Sequence, residues 1–359
     1  MLRRPFLRIA GLLLLVVLGS SPFVPGLLGA DDSLPARLSD REFWTLISDV
    51  SEPGGYFRSD NLLSNEIGFP YVIPDLTMRA APGRVYMGVG PEQNFTYIAA
   101  LEPRMAVIVD VRRGNLDLHL MYKAIFELSA NRAEFVSRLF SRRLPERVSS
   151  VSSLQEIFDT ASSAASSEEL YEENLAAIEK HLTVAHGFAL SPEDLQGIEH
   201  AYRAFFTFGP TIQYNSSQGG FGFGGGNRPS YADLMLAADD RGQFRSYMAN
   251  ERSFGLLKDL QTRNMLVPVV GDFAGPKAIR AVGRYLRAHN AMVSAFYLSN
   301  VEQFLGYQGS MAFCGNVASL PLDDTSTFIR SRRGGSYGPG YGLNLDLGMM
   351  AAELKYCAQ

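Results

Sequence analysis

The feature that most constrains this chain is a strand–glycine turn–helix–strand pattern that begins near residue 84, stops, and resumes about 155 residues later. Arg84-Val85-Tyr86-Met87 is a short apolar run entering Gly88-Val89-Gly90-Pro91. A helix over roughly Gln93–Leu101 and a buried-strand run from Met105 to Val109, ending at Asp110, follow. That order opens a parallel α/β unit. The texture returns with a strand over Leu266–Val270 ending at Gly271-Asp272, a helix over Pro276–His289 and a strand over Met292–Leu298. The last runs into Tyr297-Leu298-Ser299-Asn300, with a helix starting near Val301. Phe328-Ile329 reads as a final strand, and Arg332–Gly342 as a loop rich in glycine and tyrosine.

Between the two stretches the pattern is helical. Leu118, Met121, Tyr122, Ile125 and Phe126 recur at helical spacing, as do Leu195, Ile198, Tyr202, Phe205 and Phe206 after a Pro192 helix start. Ser149–Ser167 is rich in serine and alanine and reads as a mobile connection. Gly219–Gly226 has six glycines in eight residues, too permissive for regular structure. Its Phe221 and Phe223 suit either a lid or a surface loop. Upstream, Ser39 and Glu42 form a capping box that opens a helix. Residues 56–83 are irregular, and Asn61, Asn65 and Glu66 read either as ordinary loop polarity or as a segment that folds over a pocket. The expected organisation is 1–30, a signal peptide; 31–115, the first half of the α/β domain with an N-terminal helix; 116–263, a helical insertion; and 264–359, the second half with a tail.

Residues 1–30 carry Arg3, Arg4 and Arg8 and an apolar stretch from Ile9 to Leu18. Ten apolar residues fall short of the roughly 20 that span a bilayer, so a cleaved export signal is expected. Arg3-Arg4-Pro5-Phe6-Leu7-Arg8 resembles the twin-arginine signal, the route by which folded proteins are exported. Membrane anchoring would rest on residues 9–18 alone, if they stay uncleaved. The expected location is periplasmic or otherwise extracytoplasmic. Without residues 1–30 the net charge falls from −4 to −7. That sign opposes nucleic acid and anionic membranes as partners. The two cysteines, Cys314 and Cys357, are too few for a zinc ribbon or an iron–sulfur cluster. They are either a disulfide or two buried thiols.

Chemistry gathers at the carboxyl ends of the four candidate parallel strands: Gly88 and Gly90, Asp110, Asp272, and Ser299-Asn300. In open α/β sheets ligands bind there, at the switch point of strand order. Glycines admit a ligand to the backbone, and a carboxylate about twenty residues on can accept from ribose hydroxyls. Gln93 stands where the dinucleotide fingerprint needs its third glycine, which favours a nucleoside without pyrophosphate. Each residue also has a plain reading: Gly88 and Gly90 as a tight turn, and Asp110, Asp272, Ser299 or Asn300 as helix caps. Other chemistries fit poorly. Gly334-Gly335-Ser336-Tyr337-Gly338 lacks the strand and helix of a nucleophile elbow. His181 and His186 are five apart, off one face of an α-helix, so no metal site is expected.

These four elements, in this order, resemble the class I S-adenosylmethionine-dependent methyltransferase superfamily. The 250–331 region, with Val269-Val270-Gly271-Asp272-Phe273 and Ala295-Phe296-Tyr297-Leu298-Ser299-Asn300, also looks like a family of uncharacterised bacterial exported proteins of that fold. The resemblance implies an α/β, Rossmann-like, methyltransferase-type parallel sheet with a large helical insertion. It implies S-adenosylmethionine as cofactor, with methyl transfer to an unknown acceptor. Gly88 and Gly90 would approach the methionine part, Asp110 the ribose and Asp272 the adenine. Glu92, Gln93 and Asn94, just past the turn, either contact the ligand or lie in solvent. Tyr297, Ser299 and Asn300 would face the transferred methyl and align the acceptor. The alternative is a non-catalytic envelope module using a degenerate form of the fold, with an envelope protein as partner. A third reading is a periplasmic receptor for a small molecule.

Overall fold

The computed structural model describes residues 33–216, 228–339 and 343–357. The expected signal peptide and the glycine loop with Phe221 and Phe223 lie outside the described residues.

Helix α1 (Asp40–Val50) starts at the Ser39–Glu42 capping box, with both reciprocal bonds formed. It buries Phe43, Ile47 and Val50. A short helix, α2 (Ile73–Arg79), follows. The first α/β unit is β1 (Val85–Val89), α3 (Gln93–Leu101) and β2 (Met105–Asp110). Every element named between β2 and the next strand is helical: α4 (Arg113–Leu128), α5 (Arg132–Phe140), α6 (Leu154–Ser163), α7 (Glu168–Lys180), α8 (Pro192–Phe208), α9 (Tyr231–Met235) and α10 (Glu251–Thr262), with short single turns between some of them. The sheet then resumes with β3 (Leu266–Val270), α11 (Ala278–Ala288), β4 (Val293–Ser299), α12 (Gly306–Ala318), β5 (Thr327–Arg333) and β6 (Leu343–Met349), and closes with the single turn α13 (Met350–Glu353).

The six strands lie in the order β3-β2-β1-β4-β5-β6. The first five are parallel, and β6 returns antiparallel to β5. Strand order reverses between β1 and β4, so the switch-point crevice opens at their carboxyl ends. This is a Rossmann-like α/β fold with a large helical insertion. The insertion packs into the sheet's own core. Phe95 of α3 meets Tyr122 and Phe126 of α4 and Tyr247 edge-on, with centroids 5.2–5.6 Å apart, the geometry aromatic pairs prefer.

Three expectations change. Ser149–Ser167 is not a loose connection: Ser153 caps α6, whose Leu154, Ile157, Phe158 and Ala161 are buried. Phe328-Ile329 is not the last strand: it lies in β5, and β6 pairs antiparallel beside it. Gly88 is not part of the turn but a strand residue paired with Ile108.

Candidate functional site

At the carboxyl edge of the sheet, Gly90 alone makes the turn out of β1, at φ +74°. Gly88 serves a different purpose. A Cβ there would lie 1.8 Å from Asn94 Oδ1. The missing side chain makes room for Asn94, which is fully buried. Asn94 Nδ2 donates to the carbonyls of Val89, Gly90 and Pro91, and its Oδ1 accepts from the Tyr86 hydroxyl. His119 Nε2, from α4, donates to the Gly90 carbonyl at 2.9 Å. Burial pushes His119 down to about 4, so the ring is neutral.

Asp110 ends β2 as expected, but each of its oxygens already accepts from Arg112. The Arg112 amide and Nε donate to Oδ1 at 2.9 Å, and a terminal nitrogen donates to Oδ2 at 2.8 Å. The two side chains are only 7% and 10% exposed. Arg112 also donates to the carbonyls of Ser59 and Asp60. Asp272, after β3, is exposed, and its carboxylate accepts from the Ala274 amide in a local turn. The N-terminus of α11 is taken instead by Glu52, which accepts from the amides of Asp272, Lys277 and Ala278 at 2.7–3.0 Å. A carboxylate in that position satisfies amides that no helical carbonyl reaches.

At the end of β4, Ser299 sits at φ +49°, and the register with β5 shifts between Tyr297 and Ser299. Both side chains reach one buried acid. Glu66 Oε2 accepts from Tyr297 (2.9 Å) and from Gln93 Nε2 (2.9 Å), and Oε1 accepts from Ser299 (2.6 Å). Gln93 also contacts Tyr97 and the Ser64 hydroxyl. Asn300 is half-buried, precedes a short 3₁₀ turn and makes no side-chain cap bond. Glu92 is fully buried at the start of α3 and accepts from the Ser64 amide. Burial raises its carboxyl to about 8.

The partners of these residues come largely from one segment, residues 51–66. Its Glu52 amide bonds the Val270 carbonyl at β3, and its Gly55 amide bonds the Val111 carbonyl beyond β2. Ser59 and Asp60 meet Arg112, Ser64 meets Glu92 and Gln93, and Glu66 meets Tyr297 and Ser299. The segment is a strap laid across the carboxyl ends of β3, β2, β1 and β4 in turn. Glu66 does fold over the crevice, while Asn65 faces solvent and Asn61, at φ +47°, bends the strap. The ribose position at Asp110 and the approach above Gly88 are filled by the chain's own side chains. As placed, these residues do not fit an adenosyl group.

Sequence reasoning missed a second constellation, at the opposite, amino edge of the sheet. Glu127, near the end of α4, accepts at Oε2 from His181 Nε2 and His186 Nε2, both at 2.6 Å. A π turn over His181–Ala185 joins the two histidines, and the His186 amide bonds the His181 carbonyl. In an α-helix residues five apart point about 140° away from each other. The wider π turn brings them to one face, so the spacing argument against a shared site does not apply here. The signal available in the sequence was the pair itself.

The class these features define is a Rossmann-like α/β protein whose switch-point crevice is covered by an N-terminal strap. Residues 62–189 and 229–344 match a family described as a domain of unknown function, DUF7790, and the chain belongs to that family. No curated protein matches the chain.

Proposed function

We propose that this is an exported, non-catalytic envelope module that keeps the Rossmann-like sheet as a scaffold and fills the old ligand crevice with its own strap. The observation that carries the reading is the Asp110–Arg112 pair, in which the acid best placed to hold a ribose is gripped through both oxygens. The Cys314–Cys357 disulfide supports export, since such bonds persist in oxidising compartments. Tyr56 of the strap and Phe304 and Tyr307 after β4 are 88%, 49% and 82% exposed, and the strap's Phe57 packs on Phe304. Exposed apolar residues grouped this way support an envelope protein as partner.

A second reading, adenosyl-cofactor binding with methyl transfer, draws on the Gly90 turn and Asp110 lying beside the switch point. It requires Arg112 and the strap to move aside. Calorimetric titration of S-adenosylmethionine and S-adenosylhomocysteine into the full chain separates the two. The scaffold reading expects no binding at micromolar protein. Micromolar binding that Asp110→Ala abolishes, in protein that stays folded, would favour the cofactor reading.

A further inference from the structure

We propose that Glu127, His181 and His186 form a binding site for a divalent transition-metal ion of the zinc type, with water completing the coordination. The three candidate ligand atoms lie within 4.8 Å of one another. Two imidazole nitrogens and one carboxylate oxygen are a donor set that suits zinc, and three protein ligands leave a fourth position open. His181, 22% exposed, is the most accessible of the three, against 12% for His186 and 8% for Glu127. Solvent therefore reaches the cluster from the His181 side.

Features around the cluster match what such a site needs. His186 Nδ1 bonds Asp40 Oδ1 at 2.6 Å, and Asp40 in turn accepts from Asn264 Nδ2 at 2.9 Å. A carboxylate on the far nitrogen fixes the ring's tautomer and directs Nε2 at the metal. The His186 ring stacks on Phe188, which stacks on Trp44, so the imidazole is held flat against packed aromatics. The π turn that sets the two histidines together is a geometry often found at functional sites. Lys123 competes with the ion, donating to Glu127 Oε1 at 2.7 Å. It leaves Oε2 to the histidines, and it donates as well to the Gln261 carbonyl and Asn264. With neutral imidazoles, the two carboxylates and one ammonium sum to −1, a favourable setting for a dication. Tetrahedral zinc at 2.0–2.1 Å from nitrogen holds its donor atoms about 3.3 Å apart. The ion would thus replace the two 2.6 Å hydrogen bonds to Glu127 by spreading the donors slightly.

The site would tie α4 and the π turn, through Asp40, to α1.

The test uses the full chain, stripped with a chelator and then offered zinc chloride in the presence of excess magnesium. The expected result is one zinc per chain with micromolar or tighter affinity, and a visible tetrahedral spectrum when cobalt(II) replaces zinc. His181→Ala and His186→Ala should each weaken binding at least 100-fold. Asp40→Asn, which keeps all three ligands, should weaken it about 10- to 100-fold and alter the cobalt spectrum. If the histidine variants fail to fold, X-ray absorption of the zinc-loaded wild type reads the ligands directly, and imidazole scattering is expected. No stoichiometric uptake, uptake unchanged in the folded His181→Ala/His186→Ala double variant, or a zinc spectrum without imidazole would each overturn the proposal.

Discussion

Arg112 holds Asp110 two residues away by three hydrogen bonds, one from its amide and two from its guanidinium, at the point where β2 leaves the sheet. The same guanidinium reaches the Ser59 and Asp60 carbonyls, so the pair also fastens the strap to the sheet edge. Removing one member strands a buried charge. Arg112→Ala is therefore expected to destabilise the protein by roughly 3–5 kcal/mol. The double variant Asp110→Asn/Arg112→Met should lose clearly less than the two single variants summed, read from urea unfolding. Additive losses would mean that the two residues do not act as a pair.

Glu92 gives a pH signature of its own. Burial raises its carboxyl from 4.5 to about 8, against the opposing hydrogen bond from Ser64. The folded state binds this proton more tightly than the unfolded state. Its contribution is complete below about pH 4.5 and is lost as pH rises through 8. Glu92→Gln keeps the oxygen that accepts from Ser64 and removes the ionisation. It should flatten the decline in stability between pH 4.5 and 8, measured by denaturant titrations across that range. Asp117, also raised by burial to about 8, keeps its share of the decline in this variant.

His119 works in the other direction. Burial lowers it from 6.5 to about 4. The stability it contributes is present above pH 6.5 and is lost as pH falls through 4. His119→Gln can still offer an N–H to the Gly90 carbonyl but cannot take up a proton there. Acid unfolding of the variant should be shallower between pH 6.5 and 4, and a profile identical to wild type would show that His119 takes up its proton equally well in the folded and unfolded chains.

The Cys314–Cys357 disulfide closes a separation of 43 residues and ties the end of the described chain to α12, with the Cα atoms 5.8 Å apart. Chain-entropy reasoning gives a crosslink of that span about 4 kcal/mol. Reduction, or Cys314→Ser with Cys357→Ser, should lower thermal stability by that order without disturbing β1–β4. A melting temperature unaffected by reductant would place the stabilisation elsewhere.

Much of the fold was legible because its signals are local. The capping box at Ser39, the apolar runs of β1 to β4 and the helix from Gln93 to Leu101 each depend on a few adjacent residues. Strand β6 was missed although Leu343, Leu345 and Leu347 alternate with polar Asn344 and Asp346, because the glycine-rich turn before it masked the pairing with β5. At the site, position was readable and occupancy was not. Asp110, Ser299 and Tyr297 do stand at strand ends, but nothing local tells that Glu66 accepts from Tyr297 across 231 residues. The same holds for Glu52, which reaches the start of α11 across more than 200 residues. Gly88 looked like a turn glycine because the sequence cannot show that Asn94 needs its space. The histidine pair was set aside because an α-helical spacing was assumed where the chain makes a π turn.

Residues 51–66 are a fixed part of the sheet's carboxyl edge. Native-state hydrogen exchange of the Glu52, Gly55 and Ser64 amides, with and without S-adenosylmethionine, tests it most directly. These amides bond Val270, Val111 and Glu92 respectively. The expected result is protection comparable to that of the β2 and β3 amides, unchanged by the added compound. Rapid exchange at all three positions, or protection that shifts when S-adenosylmethionine is added, would contradict it and make the strap a gate over a working site.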